Sequence, residues 1–575
     1  MADTIIVLVA IFAVGWLLVN AGATSSSSHY IFYQVDVPGF SAVAISLLAV
    51  ALIVRRSHRV LLFEKTPIIL IAFAVLVVTG IGVLVVDHNF ALTGDEWMPR
   101  LQAQIFIHGE LAGRVPPEWR DYGQAIYHPF VFYDRETGRV ASSYRPGMAA
   151  LIALFDLAGV GLFVSAFMTA GAVWLTASLA RILWPESATA PIIAALLVAS
   201  SSQALAAAMT TYAMSAHLFF NLLWLRLFLL NTPRGHFAAA ICGIATASLH
   251  QVHMHAFYAA PFFILLLRPF RPGVLLWYAT VYFLGHLAVM DWDAFAIGGA
   301  ASSGLHGTGL NRTFSILSAI AHLPTLLDLA AVATNLIRFI SWQSLALVPL
   351  LFFAAKRHVW SLLLVLVVAS IASSLLPYIF LMPDQGAGWG YRYLHGLIGS
   401  VALIGTAGWV ELERKQSGEI RETVVLCFAF TFCVVVPVRA YLIEKTIAPW
   451  WKASKAAEAL HADVVLVDDL TILYGINIPR MDPYTTQRPV VMMMAPLSID
   501  QIRHLCSNYR VAYFGATEGR TAGILTRTAE EAVTHAANGG EFDAAEMEIV
   551  SNNYMEKYDL LTSGSCRSML RNTAH

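Results

Sequence analysis

The sequence predicts an α-helical polytopic membrane protein that ends in a small soluble α/β domain, and three observations carry that expectation. Of its 575 residues, 58% are hydrophobic and only 13% charged, with a mean hydropathy of +0.65; a soluble chain of this length would carry far more charge. The apolar residues fall in runs of roughly 17–21, long enough to cross a hydrocarbon core about 30 Å thick. Basic residues gather in alternate short connections, as they do on the cytoplasmic side of a membrane. A formal net charge of −1 offers none of the basic excess expected of a nucleic-acid binder.

Taken in order, Thr4 to Asn20 has no basic stretch ahead of it and reads as a retained first span, followed by Ser41 to Val54. The Tyr33 to Pro38 stretch between them is expected outside. Arg55, Arg56, Arg59 and Lys65 then mark the cytoplasm, so the uncharged run Thr66 to Val86 leaves it and delivers Asp95 and Glu96 to the far face. Met98 to Pro146 carries Arg100, Arg114, Arg120, Asp121, Asp134, Arg135 and Arg139, too many charges for lipid, and is expected to be an ordered external loop. Leu101, Ile105 and Leu111 predict an amphipathic helix along the interface, with Trp97 and Trp119 at headgroup level.

Gly147 to Leu157 is too short to cross and reads as a dipping helix, and Val160 to Ala180 crosses towards Arg181. Ala190 to Ala208 goes out and Tyr212 to Leu230 returns. Ala238 to Leu267 is too long for one span and short for two, and the polar run His250 to His255 interrupts it, which predicts two abbreviated helices meeting near the external surface. Val274 to Met290, Leu336 to Ala355, Ser361 to Leu381, Leu394 to Val410 and Val424 to Ile443 complete a count of about thirteen, with the N-terminus cytoplasmic. The division is therefore 1–443 for the membrane domain, with external loops 87–146, 291–335 and 382–393, and 444–575 for a non-cytoplasmic α/β domain. In the latter, Val464 to Val467, Val490 to Met494 and Val511 to Phe514 read as strands and Ser498 to Ser507 as a helix capped by Ser498. No glycine-rich phosphate loop follows the first strand. Cys506 and Cys566 lie in this region and are candidates for a disulfide, whereas Cys242, Cys427 and Cys433 fall in apolar runs.

Three polar clusters share the external face. The first is Asp95-Glu96, where a carboxylate can take a proton from an incoming hydroxyl or amine and its neighbour can position the acceptor or hold a cation; an acid pair can also simply open a helix. The second is His250, His253 and His255, whose spacing suits a divalent ion, a phosphate, or plain hydrogen bonding at a helix junction. The third is Tyr391-Arg392-Tyr393, where the planar, permanently charged fork of Arg392 suits a phosphate or pyrophosphate, or else anchors a lipid headgroup. Arg145, at the start of the dipping helix, is placed to meet an anionic group as well. No metal ligand set is assigned, although a divalent cation is compatible with the carboxylates.

The order of these elements, with Gly94-Asp95-Glu96 opening the first external loop, an amphipathic helix after it, Tyr144-Arg145-Pro146-Gly147 leading into a short helix, paired short helices, and a late Gly390-Tyr391-Arg392-Tyr393 entering a span, resembles the GT-C glycosyltransferases. The resemblance covers about residues 60 to 410 and is to the group of the lipid A aminoarabinose transferases and protein O-mannosyltransferases. Relatives often carry an Arg-Pro pair where this chain has His250 to His255, and Tyr-Pro-Pro-Gly where it has Tyr144 to Gly147. The resemblance implies a polyprenyl-phosphate-linked sugar as donor, a glycan, lipid or protein acceptor, Asp95 and Glu96 as base and acceptor-positioning groups, and Arg392, helped by Tyr391, Arg145 or a histidine, at the donor phosphate. It also implies an integral protein of the bacterial inner membrane. The rival reading is a secondary transporter or flippase of a lipid-linked or anionic substrate, which would hold its ionisable groups near the midplane and show internal repeats. A third is an inactive scaffold for other envelope enzymes.

Overall fold

The computed structural model describes residues 30–54, 66–250, 252–267, 269–298, 324–355, 360–380, 387–415, 418–537, 553–563 and 566. The expected span Thr4 to Asn20, the basic connection at 55–65, most of the 291–335 loop and residues 382–386 lie outside them. Among the described residues, seven helices are long and apolar enough to cross a membrane, or eight if the bent pair Ala190–Ala199 and Ser202–Ala208 counts as one span. The chain is thus a helical polytopic membrane protein, and the figure of about thirteen spans is not reached within the described residues.

Helix α1 (Ile68–Val85) turns Ile69, Leu70, Phe73 and Leu84 outward and packs Ile71, Ala72 and Val75 inward, the pattern of a span on the lipid side of a bundle. By contrast, the span Arg392–Arg414 is 83% buried and forms the centre of the bundle. Several expected boundaries shift. The Tyr33 to Pro38 stretch is not an external turn but continuous helix, within a candidate span Phe32–Ile53. Asp36 can sit in it because Arg338 Nε lies 2.8 Å from one carboxylate oxygen, while the other accepts from the Trp342 indole at 2.5 Å and lies 3.6 Å from Arg439 Nη1. The same network breaks the expected span Leu336 to Ala355 into Leu326–Ser341 and Leu347–Ala354, with the fully buried Trp342 at the break. Ala238 to Leu267 is interrupted between Pro233–Ala247 and Val252–Ala259, so that His250 lies in the break while His253 and His255 fall within the second helix. The last apolar run, Val424 to Ile443, belongs to a longer helix, Ile420–Glu458, which carries the chain straight into the C-terminal region.

Outside the bundle, helix α2 (Gly94–Ile107) packs on helix α3 (Pro146–Asp156), the expected dipping helix. Leu101 and Ile105 are buried, but Leu111 lies beyond the end of α2 and is half exposed. A small antiparallel sheet follows, order β1-β3-β2, from β1 (Gly113–Arg114), β2 (Val131–Tyr133) and β3 (Arg139–Ser142), with Val140 opposite both Gly113 and Tyr133. In the C-terminal region, β4 (Val464–Val467), β5 (Val490–Met493) and β6 (Val511–Phe514) form a parallel sheet in the order β5-β4-β6. The helix Ile499–Asn508 begins with the Ser498 and Gln501 capping box, and Cys506 is bonded to Cys566. Trp119 does not face lipid: it is 3% exposed, packed on Tyr509 with the Arg488 guanidinium 5.5 Å over its ring. One apolar core runs from Ile31 through Leu101, Trp119 and Val140 to the strands β4 and β5, so the 87–146 region and the α/β region pack together.

Replacing Asp36 with Asn would leave Arg338 and Arg439 buried without their shared carboxylate. The loss of one member of a buried ionic set costs about 3–5 kcal/mol, which should appear as a clear drop in the thermal midpoint of the detergent-purified protein; an unchanged midpoint would remove the network from its place in the fold.

Candidate functional site

The end of α1 turns through His88 and Asn89, both in the left-handed region at φ 53° and 51°, and the chain then runs extended into α2. Thr93 is the N-cap of that helix and its backbone N–H donates to Glu96 Oε2 at 3.3 Å. Gly94 follows because a Cβ there would sit 2.4 Å from the His128 ring. Consecutive residues on a helix point about 100° apart, so Asp95 and Glu96 diverge. Asp95 faces the bundle. Glu96 folds back over the helix start, 2% exposed, towards Arg100 and Arg480. The two carboxylates do not share a site, and the helix-opening reading of an acid pair describes Glu96.

Asp95 accepts from the Tyr144 hydroxyl on one carboxylate oxygen and pairs with the Arg392 guanidinium on the other. Burial alone would push its carboxyl up, but the Arg392 charge and the Tyr144 hydrogen bond outweigh it and hold Asp95 below the usual carboxylate range. Burial and the Asp95 charge push the Tyr144 phenol up, so it stays a donor. Arg392 opens the turn of helix that starts the central span and lies 5.4 Å from the Tyr393 ring centre. Gly390, at φ 63°, lets the preceding backbone reverse against Gln203, whose side-chain N–H donates to the Tyr391 carbonyl at 2.8 Å. Beyond the ion pair a narrow cleft enters the bundle, walled by Tyr212, His217, His250, Met254, Tyr378 and Arg392.

The remaining sequence candidates separate into those at the cleft and those held elsewhere. His250 lines the cleft with its ring 4.9 Å from Tyr144; burial pushes it down to about 4, with Asp95 acting against that shift and Arg392 with it, so it is neutral at pH 7. His255 is committed to structure, its two ring nitrogens 3.0 Å from Asn221 Oδ1 and 3.0 Å from the Tyr282 hydroxyl. His253 lies beside Phe257 and Tyr378. The three histidines therefore do not converge, and among the described residues no group of three His, Cys, Asp or Glu is arranged to hold a metal ion. Arg145 donates to the Val289 carbonyl at 2.6 Å. Tyr391 is fully buried within a Tyr378, Tyr391 and Tyr393 cluster, and it is Tyr393, stacked on Tyr378 at 4.5 Å, that reaches the cleft.

Tyr144, which donates to Asp95, and the cleft residues Tyr212, His217 and Tyr378 were not singled out from the sequence as site groups. The Tyr212 hydroxyl lies 2.8 Å from Thr93 Oγ1 and ties the start of α2 to the bundle. The signal for it was the polar run Thr210-Thr211-Tyr212 between two apolar segments. His217 shows as a lone histidine inside the apolar helix α4 (Met214–Phe228), a pattern that fits a satisfied core residue equally well.

No family model matches the sequence. No curated protein matches it either. Among solved structures, the chain is similar to ArnT from Cupriavidus metallidurans in the apo state, with a TM-score of 0.45 and 11% identity over 76% of this chain and 90% of that one. It is also similar to the same protein bound to undecaprenyl phosphate, with a TM-score of 0.48 and 10% identity over 76% and 91%.

Burial, against the opposing charge of Arg100, pushes the Glu96 carboxyl up to about 7. A carboxyl whose folded value lies above its unfolded one binds its proton more tightly when folded, so its contribution to stability falls as pH rises from the unfolded value near 4.5 to about 7 and is level above that. Glu96→Gln, which keeps the cap and cannot ionise, should flatten the decline of the thermal midpoint between pH 5 and pH 7. Parallel curves for the two proteins would show that Glu96 is ionised without penalty.

Proposed function

We propose that the chain is an inverting glycosyltransferase that takes a sugar from a polyprenyl-phosphate donor on the external face of the membrane and passes it to a hydroxyl of a glycan, lipid or protein. The observation that carries this reading is the pairing of Asp95 with Arg392 at the mouth of a cleft walled by aromatic and apolar side chains. A base and an anion-binding fork stand together, within reach of a bilayer that can hold the prenyl chain. The disulfide between Cys506 and Cys566 supports a non-cytoplasmic position for the α/β region.

In this reading Arg392 turns from Asp95 to the donor phosphate, where its fork makes paired, charge-assisted bonds. Asp95 loses the cation that depresses it and becomes the stronger base. The acceptor oxygen attacks the anomeric carbon from the face opposite the phosphate, and its proton passes to Asp95. The bond from the anomeric carbon to the phosphate oxygen breaks, and the electron pair leaves on the phosphate, stabilised by Arg392. Tyr144 keeps Asp95 aimed, and neutral His250 offers a hydrogen bond in the same cleft. Glu96, turned away, takes no part in proton transfer.

Asp95→Asn is nearly isosteric and cannot take the proton, so transfer should fall by ~10²–10⁴-fold, the range for loss of a general base, with the fold intact. Mass spectrometry of envelope glycans and lipid-linked sugars from cells with the wild-type chain, with Asp95→Asn and with none should show the acceptor unmodified and the prenyl-linked donor accumulating in the last two. Normal modification by Asp95→Asn would sink the assignment of the base, and an unchanged glycan and lipid profile in the absence of the chain would sink the transferase reading.

A further inference from the structure

The C-terminal region reaches back to the segment that carries Asp95. The Arg480 side chain donates from Nη2 to the Ala91 carbonyl at 2.6 Å, and its guanidinium lies 5.4 Å from the Phe90 ring centre and 5.5 Å from that of Trp97. Its positive charge acts on the buried Glu96 carboxylate at the start of the same helix. A planar cation between two rings, bonded to the backbone beneath them, fixes an extended stretch that has no regular hydrogen bonds of its own between residues 91 and 93. The preceding turn is held from two sides. Arg100 Nη1 donates to the Asn89 carbonyl and to its side-chain oxygen, both at 2.8 Å, while His88 stacks on Trp451 at 4.3 Å and lies 3.2 Å from Glu444. Trp451, Glu444 and Arg480 all come from residues after the last apolar run.

We infer that Arg480 is a positioning residue for Asp95: with its cation clamped between Phe90, Trp97 and Glu96, the α/β region sets the placement of the base-bearing segment opposite Arg392. This rests on the proposed reaction, in which Asp95 is the base. It gives the C-terminal region a role in the chemistry without any contact with the substrate. It also accounts for a half-buried guanidinium where the α/β region meets this segment. Arg480 touches the segment at Phe90, Ala91 and Trp97, two to five residues from Asp95, and a displacement of about 1 Å at a reacting group costs up to 10²-fold in rate.

The test uses the full-length protein in detergent with Arg480→Gln and Arg480→Lys, and measures two quantities. Hydrogen exchange at residues 88–97 should speed up at least tenfold in Arg480→Gln relative to the wild type, with Ile68–Val85 unchanged. Transfer from the lipid-linked sugars extracted from cells lacking the chain should fall about tenfold or more in turnover, within the range that misplacement produces, while the donor concentration for half-maximal rate stays the same. Arg480→Lys keeps the charge and loses the planar fork, and should lie between the two; it also serves if Arg480→Gln does not fold. Adding Glu96→Gln to Arg480→Gln should cost little more, since the clamp is already open. Unchanged exchange would overturn the clamp, as would faster exchange with normal turnover or a loss confined to donor affinity. A finding that Asp95→Asn transfers normally would instead remove the proposed reaction while leaving the exchange result to judge the clamp.

Discussion

An ion pair between residues 297 positions apart, Asp95 and Arg392, is the contact on which the arrangement of the site depends. Neither partner is placed by its own sequence neighbourhood. Asp95 is delivered by α1 and aimed by the start of α2, whereas Arg392 opens the central, mostly buried span, far along the chain from α2. In a site where each side chain is only 14% exposed, an unpaired charge would be expensive, so each group stabilises the other until a ligand replaces one of them. That mutual dependence turns an anionic ligand into a competitor for Arg392. It also sets the state of Asp95, whose carboxyl stays below the usual carboxylate range because the Arg392 charge outweighs the effect of burial.

The close approaches around the pair follow from it. Gly94 gives room to His128, and Gly390 lets the backbone double back against Gln203, so both segments of the site run against neighbours that any Cβ would strike. Tyr144 reaches Asp95 from the residues just before α3, and the Gly147 N–H donates to the Ser248 carbonyl at 2.9 Å, tying the start of that dipping helix to the break before His250. The break is thus a structural joint. The Ser248 carbonyl freed at the break is met by another helix start.

Much of this was legible in the residues, and the reason is physical. The long apolar runs, the break at His250 and the strands at Val464, Val490 and Val511 follow from periodicity and composition alone, because each is stabilised by burial of its own side chains. Asp95 and Arg392 stood out as charges at the ends of such runs. What could not be read was direction. Asp95 and Glu96 are chemically alike and adjacent, and only the helix that starts at Gly94 sends one to the cleft and the other under Arg480. The histidines differ in the same way: the partners that commit His255 to structure, Asn221 and Tyr282, come from helices on either side of it in sequence. Asp36 was hidden for a related reason, since a lone acid beside an apolar run reads as a surface residue until Arg338, Trp342 and Arg439 are brought to it.

The α/β region was the hardest to interpret from its residues, because what it does lies in its packing and not in its own motifs. Its strands bury Val464 to Val467 completely, as any small parallel sheet would, and nothing in them indicates a ligand. Yet the Tyr127 hydroxyl donates to the Asp482 carbonyl at 3.0 Å, Gln501 donates to the Asp121 carbonyl at 2.7 Å, and Trp119 closes on Tyr509. These contacts join the 87–146 region and the α/β region into a single continuous body packed against the bundle. The last helix, running unbroken from Ile420 to Glu458, makes that body an extension of a span rather than a tethered attachment. The segment that carries Asp95 is constrained on one side by the bundle and on the other by the packed 87–146 region with the α/β region set into it, and the long helix ties that body to the bundle.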